Sequence, residues 1–98
     1  MICVVAGVSV GLTSFVNDVK KLPPEVQTEL RDRLKLLVAN PKAGRLRLHQ
    51  LNGYHPTVYT IDVISGKGKR YKASFRLEGN VAVFLRAGTH KQIDRCAD

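Results

Sequence analysis

From Lys69 to His90 the chain alternates in a way that a paired β-structure satisfies and a helix does not. Tyr71, Ala73, Phe75 and Leu77 are interleaved with Arg70, Lys72, Ser74 and Arg76. Side chains on a strand switch faces with period 2, so the first set points one way and the second the other. Val81, Val83, Leu85 and Ala87 form a further apolar set, with Ala82, Phe84, Arg86, Gly88 and His90 opposite. Glu78-Gly79-Asn80 lies between them, and Gly and Asn both accept the positive φ of a tight turn. The stretch predicts an antiparallel hairpin with one face in the core. Its other face gathers Arg70, Lys72, Arg76 and Arg86, with His90 at the rim. A cationic face of this kind suits a phosphate backbone.

The rest of the chain supplies what that hairpin needs to pack against. Ile2 to Val10 is a Val- and Ile-rich run bounded by Gly11, which predicts a first strand buried on both sides. Thr13 or Ser14 can cap a short helix reaching Leu22, with Phe15, Val16, Val19 and Leu22 on one side. Pro23-Pro24 ends it and opens a second helix, Pro24 to about Ala39, because proline is tolerated in a first turn and not inside a helix. Val26, Leu30, Leu34, Leu37 and Val38 form its apolar stripe. Glu25 and Glu29 near its start and Arg31, Arg33 and Lys35 later follow the helix dipole, and Asn40-Pro41 stops it. Lys42 to Tyr54 reads as a basic connection in which Leu46, Leu48 and Leu51 tuck inward. Thr57 to Ile64 predicts a strand with Tyr59, Ile61 and Val63 on the core side and Thr60 and Asp62 opposite. Ser65-Gly66-Lys67-Gly68 then turns into the Lys69 strand. The tail after His90 has little apolar content and is expected to fray. The result is a single α+β domain over residues 1–98. A helical hairpin packs on an antiparallel sheet that contains an N-terminal strand and a three-strand C-terminal meander, and the uncovered face is the basic one.

Charge separates this chain from an ordinary domain of its size. Sixteen Lys and Arg stand against eight Asp and Glu, a formal +8. Residues 45–98 hold ten of the basic residues and four of the acidic ones, so the excess falls in the strand-rich half. The partners this fits are nucleic acid, an acidic protein or an anionic lipid surface, with nucleic acid favoured. Cys3 and Cys96 stand at opposite ends without the spacing of a zinc site or a disulfide framework, which fits thiols in a reducing cytoplasm. The apolar start has no basic flank and is far shorter than a membrane span.

No glycine-rich phosphate loop, nucleophile elbow, paired-carboxylate motif or metal-ligand spacing occurs in the sequence. Cleavage of RNA needs none of these. The 2′-hydroxyl attacks its own phosphodiester once deprotonated. The reaction then asks for a base, an acid for the 5′-oxygen, and positive charge on the phosphorane-like transition state. Histidine suits proton transfer near neutral pH, and Arg and Lys suit the phosphate. His49, His90, Arg86, Lys72 and Arg70 supply that set on or beside one face. His55, before Pro56, receives no role.

Taken in order, several segments resemble toxins of the RelE/ParE superfamily of bacterial type II toxin–antitoxin systems. They are Phe15-Val16-Asn17-Asp18-Val19-Lys20-Lys21-Leu22-Pro23, a long helix ending at Asn40-Pro41, His49-Gln50-Leu51-Asn52-Gly53, Tyr71-Lys72-Ala73-Ser74-Phe75, and Arg86-Ala87-Gly88-Thr89-His90. The Gly-Thr-His ending is similar to the YafQ-like branch. The resemblance implies a cytoplasmic, metal-independent mRNA interferase, an endoribonuclease acting on the message at the ribosome and neutralised by a cognate antitoxin. It implies no cofactor and no membrane. Within it His90 and His49 match the acid–base histidines, Arg86 a phosphate-facing arginine, and Lys72 a position where many relatives carry arginine. Arg70, Arg76, Arg45 and Arg47 are the expected RNA- and phosphate-binding cations, and Arg31, Lys35 and Lys42 add ribosome contacts. Relatives often carry Tyr or Phe shortly after the terminal histidine, where this chain has Ile93 and Asp94. Tyr54 or Tyr71 is the available stacking group, and Asp62 falls near a further histidine of the relatives. The alternatives are a ParE-like inhibitor of DNA gyrase and a non-catalytic RNA- or ribosome-binding module.

Overall fold

A computed structural model of the chain describes residues 5–51, 53, 57–64, 70–95 and 97, apart from the side chains of Arg45 and Ile64. The expected turn at Ser65–Gly68, Tyr54, His55, both cysteines and the first four residues lie outside the described residues. The elements are β1 (Gly7–Ser9), α1 (Thr13–Lys20), α2 (Pro24–Ala39), a 3-10 turn (Gly44–Leu46), β2 (His49–Leu51), β3 (Val58–Ile64), β4 (Arg70–Glu78), β5 (Val81–Thr89) and α3 (His90–Arg95). The strands form one sheet in the order β1-β5-β4-β3-β2. β1 runs parallel to β5, and the other neighbours are antiparallel. The C-terminal meander is therefore present as expected. No described helix is long and apolar enough to cross a membrane.

α2 begins and ends where its prolines dictate. Pro24 occupies the first turn, where its missing N–H costs nothing, and Asn40 closes the helix by donating to the Leu36 carbonyl at 2.7 Å. Val26, Leu30 and Leu37 are buried. Val38 is 38% exposed, contrary to the expected stripe. Twelve residues on from Val26, a helix of 3.6 residues per turn has rotated about 120° off the buried line. In α1 the expected hydroxyl cap is absent. Leu12 flanks the helix without a side-chain bond, and Ser14 instead donates to the Leu85 carbonyl at 2.9 Å, tying α1 to the sheet.

The helical face of the sheet holds a line of rings. Phe15 meets Phe84 at 5.4 Å, Phe84 meets Phe75 at 5.1 Å, and Phe75 stacks on Tyr59 at 5.5 Å. Tyr71, Ala73, Ile61 and Val63 share this core, as their alternation predicted. The second half of the hairpin departs from the prediction. Ser74 pairs with Arg86 and Phe75 with Phe84, which leaves Leu85 as an extra residue in β5. A bulge of this sort reverses the alternation beyond it. Ala82 and Phe84 therefore enter the helical core. Val81 and Val83 pair with Glu78 and Arg76 on the opposite face, and Leu85 joins a separate cluster.

Three further expectations are corrected. β1 is a three-residue edge strand with Ser9 exposed, and it is not buried on both sides. The basic connection contains a strand, β2, paired to β3. The tail does not fray: α3 lies on the face opposite the helical hairpin. There Ile93 and Ala97 bury against Val58 and Leu85, with Leu51 at the margin. Thr89 and Gln92 cap α3 reciprocally. The Thr89 amide donates to Gln92 Oε1 at 2.9 Å, and the Gln92 amide donates to Thr89 Oγ1 at 3.3 Å. A Cβ at Gly88 would stand 2.6 Å from Gln92 Oε1, so glycine leaves room for this cap. Part of the Gly-Thr-His signature is thus a helix start. The basic face is accordingly part-covered by the chain's own end.

Candidate functional site

The candidate site lies where β4 and β5 end and α3 begins, on the face away from α1 and α2. β4 places Arg70 and Lys72 on that face, the bulge places Arg86 there opposite Ser74, and the Thr89 cap sets His90 as the first residue of α3. Arg70, Tyr71, Thr89, His90 and Lys91 line an open recess of about 340 Å³. Arg70 and Lys91 are exposed, and neither has a carboxylate partner among the described residues. His90 is half-buried, with Nε2 3.1 Å from Asp94 Oδ2. The other Asp94 oxygen accepts from Lys72 Nζ at 3.5 Å. Lys72 is 8% exposed, because α3 passes over it.

Arg86 borders a second, deeper cavity of about 370 Å³, whose lining includes Asp18, Lys21, Tyr71, Gly88 and Gln92. β1 ends at Ser9, opposite Val83, so β5 has an open edge from there onward. Asp18 of α1 fills it. Its Oδ2 accepts from Arg86 Nε at 2.7 Å and from the Ala87 amide at 3.0 Å, and its Oδ1 accepts from Arg86 Nη2 at 3.1 Å. Burial alone would push the Asp18 carboxyl up. The hydrogen bonds from Arg86 and Ala87, with the charge of Arg86 and then Lys21, outweigh it and hold the carboxyl below the usual aspartate value.

The other expected site residues are dispersed. Arg76 pairs with its neighbour Glu78 at 3.0 Å. Arg47 leaves the 3-10 turn in the left-handed region (φ 46°) and reaches Asp62 Oδ2 at 3.5 Å. Asp62 is largely buried, and its Oδ1 has no hydrogen-bond partner. Arg45 belongs to that turn, with its side chain outside the description. His49 is exposed on the edge strand, with Nδ1 3.1 Å from the Leu48 carbonyl. It shares a cross-strand row with Thr60, Ser74 and Arg86. His90 lies four residues beyond Arg86. The two histidines are therefore three strands apart, about 14 Å, and about 13 Å along the strands. They stand at different corners of the face, an arrangement that does not pair His49 with His90 as acid and base at one point.

Two residues that matter to the site were not singled out for it by the sequence. Asp94 bridges His90 and Lys72, and Asp18 holds Arg86. Asp94 carries a legible signal, since it stands four residues after His90 on a capped helix. Asp18 carries none, because its partner is 68 residues away.

No protein-family model and no curated protein matches the sequence. Among solved structures, the chain is similar to a chain of the RelB–RelE antitoxin–toxin complex from Methanococcus jannaschii. The TM-score is 0.58 at 23% identity, and the match covers 86% of this chain and 93% of that one. The α+β architecture described above, helices packed on a five-stranded mixed sheet, is a RelE-like fold.

Proposed function

We propose that this chain is the toxin of a type II toxin–antitoxin pair and acts as a metal-independent endoribonuclease on messenger RNA at the ribosome. The observation that carries the reading is the corner where Arg70, His90 and Lys91 border one recess, with Lys72 behind them, on a RelE-like scaffold. The RNA phosphate docks there against Arg70 and Lys91. The 2′-oxygen attacks the adjacent phosphorus, the P–O5′ bond breaks, and the products are a 2′,3′-cyclic phosphate and a 5′-hydroxyl. One proton leaves the 2′-hydroxyl and one reaches the 5′-oxygen. His90 carries one of these transfers, and solvent, which reaches this half-exposed corner, carries the other. Arg86 adds positive charge at the adjoining cavity, while His49, Arg45 and Arg47 meet the message further along its backbone.

The partner that restrains the toxin is an antitoxin with an acidic amphipathic segment. Support comes from the source of the structural neighbour, an antitoxin–toxin complex. It also comes from an apolar groove of about 290 Å³ between α1 and α2, walled by Val16, Val19, Leu30 and Leu34 and flanked by Lys20 and Arg31. The excess of positive charge would speed that association.

The test is an in vitro translation reaction with purified protein, read by primer extension on the message, with His90→Ala alongside. Discrete cuts at ribosome-positioned sites that disappear in the variant are the expected result, and His49→Ala should slow cutting less than His90→Ala. An intact message would refute the nuclease, and a DNA supercoiling assay would then examine gyrase inhibition.

A further inference from the structure

Asp94 occupies an unusual place for a surface carboxylate. Its two oxygens go to two different groups, Oδ2 to His90 Nε2 at 3.1 Å and Oδ1 to Lys72 Nζ at 3.5 Å. These groups come from α3 and β4, and the carboxylate spans the gap between them. Two non-bridging oxygens of a phosphodiester have nearly the same spread as a carboxylate's two oxygens and seek the same donors. Asp94 is half exposed, while Lys72 beneath it is 9% exposed at its side chain. The carboxylate therefore lies on the solvent side of the ammonium it pairs with. The recess lined by Arg70, His90 and Lys91 adjoins this point. The charged and titratable groups around the gap are Lys72, His90, Arg70, Lys91 and, across the strand from Lys72, Asp62.

We infer that the gap between His90 and Lys72 is an RNA phosphate subsite, and that Asp94 is its built-in competitor, an internal anion that the incoming phosphate displaces. This rests on the reading of the chain as a ribonuclease and adds to it a regulation of that site. α3 is a short helix capped by Thr89 and Gln92, so a rotation of the Asp94 side chain toward solvent opens the subsite without unwinding it. A positioning role would make loss of Asp94 harmful. A competitor role makes it a gain, and this opposition of sign is what can be measured.

The experiment uses the full chain and a short fluorescent single-stranded RNA with 2′-O-methyl riboses, which binds and cannot be cut, followed by anisotropy. Asp94→Asn keeps the shape and removes the charge. It should tighten binding about two- to fivefold, the worth of one exposed ion pair, and steepen the plot of log K against log salt by about 0.7, one more single-strand phosphate contact. Lys72→Gln introduced into Asp94→Asn should cancel the gain. Asp32→Asn, an equal charge change at an exposed position on α2, controls for bulk charge and should leave binding unchanged. Unchanged or weaker binding by Asp94→Asn would overturn the inference, as would an equal gain from Asp32→Asn or a gain that survives Lys72→Gln. The parallel cleavage assay separates the two readings. Tighter, Lys72-dependent binding with no cleavage by any form sustains the subsite and removes the nuclease. Cleavage by the native chain without tightening in Asp94→Asn sustains the nuclease and removes the competitor.

Discussion

Replacing Asp18 tests whether the open edge of β5 is held by charge. Asp18→Ala deletes two charge-assisted bonds from Arg86, at 2.7 and 3.1 Å, and one from the Ala87 amide at 3.0 Å. Hydrogen bonds to charged groups contribute about 1.5–3 kcal/mol each when well shielded. The Asp18 side chain is 11% exposed, but that of Arg86 is 37% exposed, so water screens the pair and replaces part of what Arg86 loses. The Ala87 amide borders the same cavity, so water replaces part of that bond as well. The sum is about 2–3 kcal/mol for Asp18→Ala and about 1–2 kcal/mol for Asp18→Asn, which keeps one acceptor. For a chain of this length, 2 kcal/mol lowers Tm by roughly 8–16 °C. The sign with pH is fixed by the lowered carboxyl. A carboxyl whose folded pKa lies below its unfolded value contributes its stability in full above the unfolded value, near 3.9, and loses it as pH falls through the folded one. Urea melts followed by circular dichroism should show a gap between native protein and Asp18→Asn that is level above about pH 5 and closes toward pH 2. A gap below about 0.5 kcal/mol at pH 7, or one that widens on acidification, would refute the argument.

Phe84→Ala should cost about 3–5 kcal/mol in a urea melt, because the bulge turns Phe84 into the ring line with Phe15 and Phe75. A near-neutral result would restore the unbroken alternation. Gly88→Ala should cost about 0.5–2 kcal/mol, since Gln92 can swing away from the new methyl and only the α3 cap is lost. Adding Gln92→Ala should then cost nothing more. Ile93→Ala, in the small cluster under α3, should cost about 2 kcal/mol and raise amide exchange in α3 while β4 and β5 stay protected. Equal α3 exchange rates in the variant and the native protein would mean that α3 is not held by this cluster.

What the sequence reveals follows from the range of each interaction. α2 is legible because Pro24, the Val26–Leu30–Leu37 line and Asn40-Pro41 all act within a few residues. The faces of β3 and β4 are legible because period 2 runs unbroken through Tyr59–Val63 and Tyr71–Leu77. The phase of β5 is not, because Leu85 leaves no mark on composition, and a run of Val, Ala, Val, Phe, Leu fits either face. β2 has three residues, too few to show a period. α3 was readable: Thr89-x-x-Gln92 is a capping pattern, but with Ile93 as its one large apolar residue before Ala97 the segment looks unable to pack. The site divides in the same way. The cationic face follows from local alternation. The separation of His49 from His90 and the Asp18 and Asp94 contacts depend on strand order and on a helix crossing the sheet.

The charge of the chain and the charge of its site are therefore different quantities. Four of the cations expected to bind phosphate or catalyse carry carboxylates: Arg47 on Asp62, Lys72 on Asp94, Arg76 on Glu78 and Arg86 on Asp18. Each pair contributes little net field, and an RNA phosphate that claims one of these cations leaves a carboxylate unpaired. The surplus at the proposed site comes from Arg70 and Lys91, with His90 adding to it when protonated. Single-stranded RNA releases about 0.7 counterion per phosphate neutralised. Two or three contacts predict a slope of about −1.4 to −2 for log K against log salt, whereas engagement of eight cations would give about −5.6. A titration of uncleavable RNA across a range of salt concentrations measures it directly. A slope near −2 means that the pairs of Arg47, Arg76 and Arg86 persist on binding and that affinity comes from one corner of the sheet. A slope beyond −5 would mean that the pairs open together on binding, and the carboxylates would then be gates across the whole face.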